Sequence, residues 1–159
     1  MADCDNCGAP MRIDRARGVL VCDHCHTERE PPAALDYLDI LDETSLVCPI
    51  CSAHLANGRL EGHPVICCAR CFGLLIDMSR FVSVIEAARA REARTSRSIP
   101  PRRQHPGDRV LDCPRCGQPM VAHLYGGPGN IVIDTCERCL VNWLDGGELR
   151  RVATAPDSR

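Results

Sequence analysis

Apolar residues along this chain come mostly in short runs closed by glycine, cysteine or charge, the pattern of small hairpins rather than of one large core. Gly18-Val19-Leu20-Val21 reads as a strand that ends on Cys22, and Ile131-Val132-Ile133 reads as another that leads towards Cys136. Helical spacing is clear in one place. Phe81, Val84, Ile85 and Ala88 fall on one face of a 3.6-residue period, predicting a helix near 79–94 that Asp77 caps. A shorter helix is expected near 146–153, where Asp145-Gly146-Gly147-Glu148 has the spacing of a capping box with Asp145 as N-cap and Glu148 at N3. Within 31–45, Leu35, Leu38, Leu41 and Ile40 also sit at helical spacing, which leaves room for a short amphipathic helix there. No apolar run approaches the roughly 18–20 residues that span a bilayer.

The polar pattern is organised by cysteine. Twelve of the 13 cysteines form six Cys-x-x-Cys pairs, and the pairs form three couples. These are Cys4/Cys7 with Cys22/Cys25, Cys48/Cys51 with Cys68/Cys71, and Cys113/Cys116 with Cys136/Cys139. Two tight knuckles joined by a short hairpin bring four thiolates around one tetrahedral ion, so all twelve are assigned as ligands of three structural zinc ions. Tetrahedral sulfur also suits iron, but the pattern favours zinc. Each couple closes its own coordination sphere, leaving no position for water or substrate. Disulfides are the alternative use of so many cysteines, but Met1-Ala2-Asp3-Cys4-Asp5 lacks the look of an export signal. The expected compartment is therefore reducing and cytoplasmic.

Six segments follow. Residues 1–30 form a first zinc ribbon, 31–45 an acidic linker, 46–94 a second ribbon with its helix, 95–112 a basic proline-rich linker, 113–153 a third ribbon, and 154–159 a tail. The second and third ribbons repeat one another. Cys68-Ala69-Arg70-Cys71 and Cys136-Glu137-Arg138-Cys139 each place arginine before the last cysteine and aspartate, Asp77 or Asp145, six residues after it. That register makes Cys68 the ligand and leaves Cys67, aligned with Thr135, as a spare thiol on a strand, expected to be buried as a small apolar residue. The fold class is thus a small, metal-stabilised, mainly β protein of three tandem zinc ribbons, in which metal centres stand in for a core.

Composition narrows the function. The 19 basic residues are all arginine, and three tetrathiolate zinc centres, each carrying two negative charges, take the formal charge from −2 to −8. Aromatics are few: Trp143, Tyr37, Tyr125, Phe72 and Phe81. Both features weigh against a dedicated nucleic-acid binder, although Arg89, Arg91, Arg94, Arg97, Arg102 and Arg103 supply one basic stretch. His24 and His26, which flank Cys25, are expected to be solvent-exposed, and His54, His63, His105 and His123 are scattered through hairpins and a linker with no nucleophile-base pairing. Gly126-Gly127-Pro128-Gly129 lacks the lysine and following helix of a phosphate loop, so Tyr125 to Asn130 reads as a wide hairpin tip, or as an exposed loop presenting Tyr125 to a partner. No catalytic residue and no small-molecule substrate is expected. A thiol oxidoreductase would need its Cys-x-x-Cys at the start of a helix in a larger α/β fold.

Cys113-Pro114-Arg115-Cys116-Gly117, Cys136-Glu137-Arg138-Cys139 and Trp143-Leu144-Asp145-Gly146-Gly147-Glu148-Leu149 together resemble the bacterial zinc-ribbon family named for transcription factor IIB. The resemblance covers about 111–152 and extends more weakly to 46–86, where Leu75 replaces the tryptophan. Residues 1–30 resemble only a generic ribbon. The resemblance implies a zinc-bound β-hairpin and a binding role. Two readings of that role follow: an adaptor that contacts another protein, with Trp143 either one candidate contact or packed against its own zinc knuckle, and a nucleic-acid-binding or transcription-associated module using the arginines at 89–103.

Overall fold

The computed structural model describes residues 4, 6–14, 19–29, 38–95, 109–125 and 131–155. Among these residues, ten strands and two helices make the fold mainly β. Strands β1 (Met11–Asp14), β2 (Val19–Cys22) and β3 (Glu28–Arg29) form a small antiparallel sheet around the first cysteine couple. All other strands join one seven-stranded antiparallel sheet. In chain order they are β4 (Leu38–Val47), β5 (His54–Leu60), β6 (His63–Cys67), β7 (Leu74–Asp77), β8 (Val121–Tyr125), β9 (Ile131–Cys136) and β10 (Val141–Leu144). Across the sheet the order is β4-β5-β6-β7-β10-β9-β8. Helices α1 (Met78–Thr95) and α2 (Glu148–Thr154) follow β7 and β10.

The second and third ribbons are therefore one body. Their inner strands pair with Leu75 opposite Trp143 and Ile76 opposite Asn142. Since Leu75 and Trp143 hold the same place in their respective ribbons, a pseudo-two-fold axis runs through that pair. The outer registers agree with it. Ala56 opposite Cys67 matches Val121 opposite Thr135, and Leu60 opposite His63 matches Tyr125 opposite Ile131.

Each sheet face carries a core. On one face, α1 buries Phe81, Val84, Ile85 and Ala88, the face its periodicity predicts, against Ile76, Leu144, Ile133 and Leu60. Leu149 and Val152 of α2 complete that layer, and Arg150 bridges to Glu92 of α1 at 3.1 Å. On the other face, Leu55, Leu75, Val141 and Trp143 pack among the cysteines of the second and third couples. Metal centres do not simply replace a core here: fusing two ribbons gives each helix a sheet to cover and the pair a shared apolar layer.

Three further expectations change. Over its described part, the acidic stretch expected as a linker or short helix is strand β4, paired from Leu38 opposite Leu60 to Val47 opposite His54. Its leucines satisfied a helical spacing, but Leu38 and Ile40 alternate inward against the helix-side core, a period of two that the available sheet edge selects. Asp77 lies at the start of α1 as expected, but its carboxylate accepts from Arg115 at 2.7 Å. The capping box is half formed, and Gly147 rather than Asp145 is the N-cap of α2: Glu148 Oε2 accepts the Asp145 N–H at 2.7 Å, while the Asp145 carboxylate takes the Trp143 indole N–H at 3.0 Å and Arg109 at 2.7 Å. Most of the basic linker, the loop beyond Tyr125, His105, the end of the tail and residues 30–37 lie outside the described residues.

Glu148 carries a pH dependence. It is 5% exposed, and burial, aided by the charges of Asp145 and Asp134, pushes its carboxyl up to about 7. A raised folded-state value means the folded protein holds the proton more tightly than the unfolded chain. Stability from this group is present at acidic pH and falls as pH rises from the unfolded value through about 7. Glu148→Gln keeps an acceptor for the Asp145 N–H and removes the ionisation. It should match the parent near pH 5 and exceed it near pH 8.5 by on the order of 2 kcal/mol. Denaturant midpoints of both proteins at each pH measure this; because zinc affinity changes equally in the two, only their difference is read. An unchanged difference would refute a buried titrating Glu148.

Candidate metal centres

All six knuckles share one local geometry. In each, the residue just after the second cysteine takes a left-handed conformation: Gly8, His26, Ser52, Phe72, Gly117 and Leu140 have φ between 54° and 70°. Glycine adopts this freely, whereas Phe72 and Leu140 do so at a steric cost of about 1–2 kcal/mol. The turn holds them there by hydrogen bonds. Phe72 N–H donates to the Cys68 carbonyl at 2.9 Å, and Cys68 N–H donates to the Gly73 carbonyl at 2.9 Å. The same pair of bonds recurs at Cys4, Cys22, Cys48 and Cys113. This winding turns both thiols of each pair to one side and points backbone N–H groups at sulfur, as Cys71 N–H does to Cys68 Sγ at 3.5 Å and Cys139 N–H to Cys136 Sγ at 3.4 Å.

The structure brings the twelve assigned cysteines into three groups of four: Cys4, Cys7, Cys22 and Cys25; Cys48, Cys51, Cys68 and Cys71; Cys113, Cys116, Cys136 and Cys139. Within each group all sulfurs lie within 4.8 Å of one another. Neighbouring sulfurs are 3.4 Å apart at Cys4–Cys25 and at Cys48–Cys71, and 3.7 Å apart at Cys116–Cys136. A zinc ion with bonds of about 2.3 Å to four sulfurs needs edges of about 3.8 Å, so each cage fits it with slight expansion. All thirteen cysteines are free of disulfides.

Each cage also lowers at least one thiol below its ordinary value, and in the first cage Cys4 is lowered, chiefly by the Asn6 backbone, as well as Cys25. Cys68 is pulled down to about 2 by hydrogen bonds from the Cys48 and Cys71 thiols, while Cys48 is pushed up to about 12 through its bond with Cys68. Cys25 is lowered to about 5 by the Thr27 hydroxyl, 3.0 Å away, and by the Thr27 backbone. Cys116 is lowered to about 7 by the Gln118 backbone. Zinc held by any of these cages would require the four cysteines to bind as thiolates, so binding would release the remaining thiol protons.

Exposure differs between the sites. The second has all four cysteines buried, the third has two, and in the first Cys7 is exposed. Cys67 stays out of the second cage. It is fully buried on β6 within the helix-side core, and its thiol donates to the Ala56 carbonyl at 3.5 Å. The described histidines also stand apart: His24, His26, His54 and His123 are exposed, and His63 is half-buried.

Sequence reasoning missed what joins the sites. Trp143 is fully buried, not presented to a partner, and it packs against the second ribbon's knuckle rather than only its own. A Cβ added to Gly73 would fall inside the Trp143 ring, and one added to Gly146 would strike the Cys71 carbonyl. The one visible signal was in the repeat: Gly73 stands where the third ribbon has Val141. Phe72 couples the remaining ribbon, packing into Cys4, Met11, Leu20 and Cys22.

No curated protein and no solved structure matches the chain significantly. Residues 112–155, the third four-cysteine cage with its hairpin and helix, match the model of the TFIIB-type zinc-ribbon family described as transcription factor zinc-finger.

Proposed function

We propose that this is a non-enzymatic zinc-binding adaptor whose fused ribbons present a surface to another protein. The observation that carries the reading is where the charged and apolar side chains go. Among the described arginines, Arg91 pairs with Glu61, Arg109 with Asp145 and Arg115 with Asp77, each at 2.7 Å, and Arg150 pairs with Glu92. Guanidinium groups held by carboxylates of their own chain make a poor phosphate-binding stripe. Meanwhile Val121, Leu124 and Leu140 of the third ribbon are more than 60% exposed. Three closed tetrathiolate cages give no open metal position for catalysis. No helix among the described residues is long and apolar enough to cross a membrane.

The second reading, a nucleic-acid-binding or transcription-associated module, is favoured by the family description and by Arg97, Arg102 and Arg103, which lie outside the described residues. A salt titration separates the two. The zinc-loaded protein is expected to show negligible DNA or RNA binding at about 50 mM salt. Micromolar binding that falls steeply by about 200 mM, and is lost when Arg89, Arg91, Arg94, Arg97, Arg102 and Arg103 become serine, would overturn the adaptor reading.

A further inference from the structure

The two fused ribbons differ at their outer edges. In the second ribbon, β4 lies along the outside of β5, pairing Leu38 with Leu60, Asp39 with Arg59, Ile40 with Gly58 and Val47 with His54. In the third ribbon the equivalent lane begins in the same register, with a bridge between Asp112 and Pro119, the counterparts of Val47 and His54. Among the described residues the pairing stops there. Among the described residues nothing lies outside β8, which ends the sheet. The chain's own candidates for the lane, Arg103-Gln104-His105-Pro106-Gly107-Asp108, lie outside the described residues and make a poor strand sequence. They hold no aliphatic residue, and Pro106 lacks the N–H a ladder needs.

Sheet edges are normally defended by charge, bulges or proline. β4 is so defended, by Asp39, Asp42 and Glu43 and by two register shifts. β8 has none of these. It reads Val-Ala-His-Leu-Tyr, pairs with β9 without a break over five residues, and exposes Val121 and Leu124. The internal template also specifies what would fit. Leu124 stands where the second ribbon has Arg59, the residue opposite Asp39, so this lane has lost the cation that would pair with an acid.

We propose that β8 is a β-augmentation site that takes an extended apolar segment of a partner protein, antiparallel to β8, with an aliphatic residue opposite Leu124. Apolar residues opposite Tyr125 and His123 would continue the inward row that Leu38 and Ile40 form in the second ribbon. Main-chain bonds to the open edge supply general affinity, and the position opposite Leu124 supplies selectivity. The inference deepens the adaptor reading and rests on it.

The probe is a peptide of residues 38–47, LDILDETSLV, and its Asp39→Val form, titrated into the full-length, zinc-loaded, isotope-labelled protein and followed by amide chemical shifts. The Asp39→Val peptide should shift amides of 121–125 and bind about fivefold tighter than the parent peptide. Protein carrying Leu124→Arg, a change at an exposed position that leaves zinc content intact, should reverse the preference. Shifts absent from β8, or a preference that Leu124→Arg does not move, would overturn the proposal. So would concentration-dependent dimerisation abolished by Leu124→Arg, because the occupant would then be a second copy. Peptide binding that appears only after residues 102–108 are replaced by Gly-Ser repeats would show the chain's own segment in the lane and equally overturn it. In a capture of cell-lysate proteins on the immobilised zinc-loaded chain, proteins retained alike by the parent and by Leu124→Arg would leave the adaptor reading standing and overturn the β8 site, and retention by neither would overturn both.

Discussion

Cys68→Ser should lower bound zinc from about three ions per chain to two, whereas Cys67→Ser should leave all three. The two cysteines are adjacent and both fully buried, so exposure cannot distinguish them. Geometry does. Cys68 Sγ lies 3.5 Å from Cys51 Sγ within the second cage, and Cys67 Sγ turns to the opposite face of the sheet against the Ala56 carbonyl. Removing one thiolate leaves an incomplete coordination sphere inside a fully buried site, and the free energy of a structural zinc ion is on the order of 10 kcal/mol. The loss should spread, because Phe72, which follows Cys71, anchors the first ribbon, and Leu75 and Trp143 connect to the third cage. Serine at 67 keeps a donor for Ala56 and costs about 1–2 kcal/mol for placing a hydroxyl in an apolar core. Metal analysis of purified protein with thermal unfolding checks both. Three ions in Cys68→Ser, or two in Cys67→Ser, would refute the assignment.

Gly73→Ala should uncouple the second and third ribbons. The added methyl would overlap the Trp143 indole, lying 2.7 Å from Cη2, and Trp143 is fully buried with its N–H held by Asp145. Neither ring nor backbone can move without breaking that bond or the β7–β10 pairing. Overpacking at this level costs about 3 kcal/mol, a fall of roughly 6–12 °C in Tm for a body of this size. Gly8→Ala is the control. It changes a glycine of φ 70° with open space around it, so it should cost only the left-handed penalty of about 1 kcal/mol. Combining Gly73→Ala with Trp143→Leu, the residue type that Leu75 supplies on the other side of the dyad, should cost less than the two changes added together. Strict additivity would mean the indole is not what Gly73 makes room for.

How much of this was legible in the chain follows from range. Ligation by Cys-x-x-Cys couples is local chemistry: two sulfurs three residues apart must share a knuckle, and a short hairpin must bring two knuckles together. The gathering of twelve cysteines into three groups of four, the exclusion of Cys67, the buried face of α1 and the third ribbon's family resemblance could all be read that way. Edge pairing is not local. Residues 38–47 carry a leucine spacing compatible with a helix, and only the presence of β5 beside them makes the stretch a strand. The half-formed capping box has the same origin, since Arg109 and the Trp143 indole compete for the Asp145 carboxylate from elsewhere in the fold.

By itself, the sequence determined three four-sulfur cages, because metal coordination depends on residue type and spacing alone. Tertiary structure decided that two of those ribbons fuse about Leu75 and Trp143 into one sheet with a helix layer, and that Phe72 ties the first ribbon to them. It also decided that one edge is closed by β4 while the edge at β8 stays open among the described residues. Those outcomes depend on which apolar surfaces and unpaired backbone groups meet across long separations in the chain, and the local pattern of residues does not encode that.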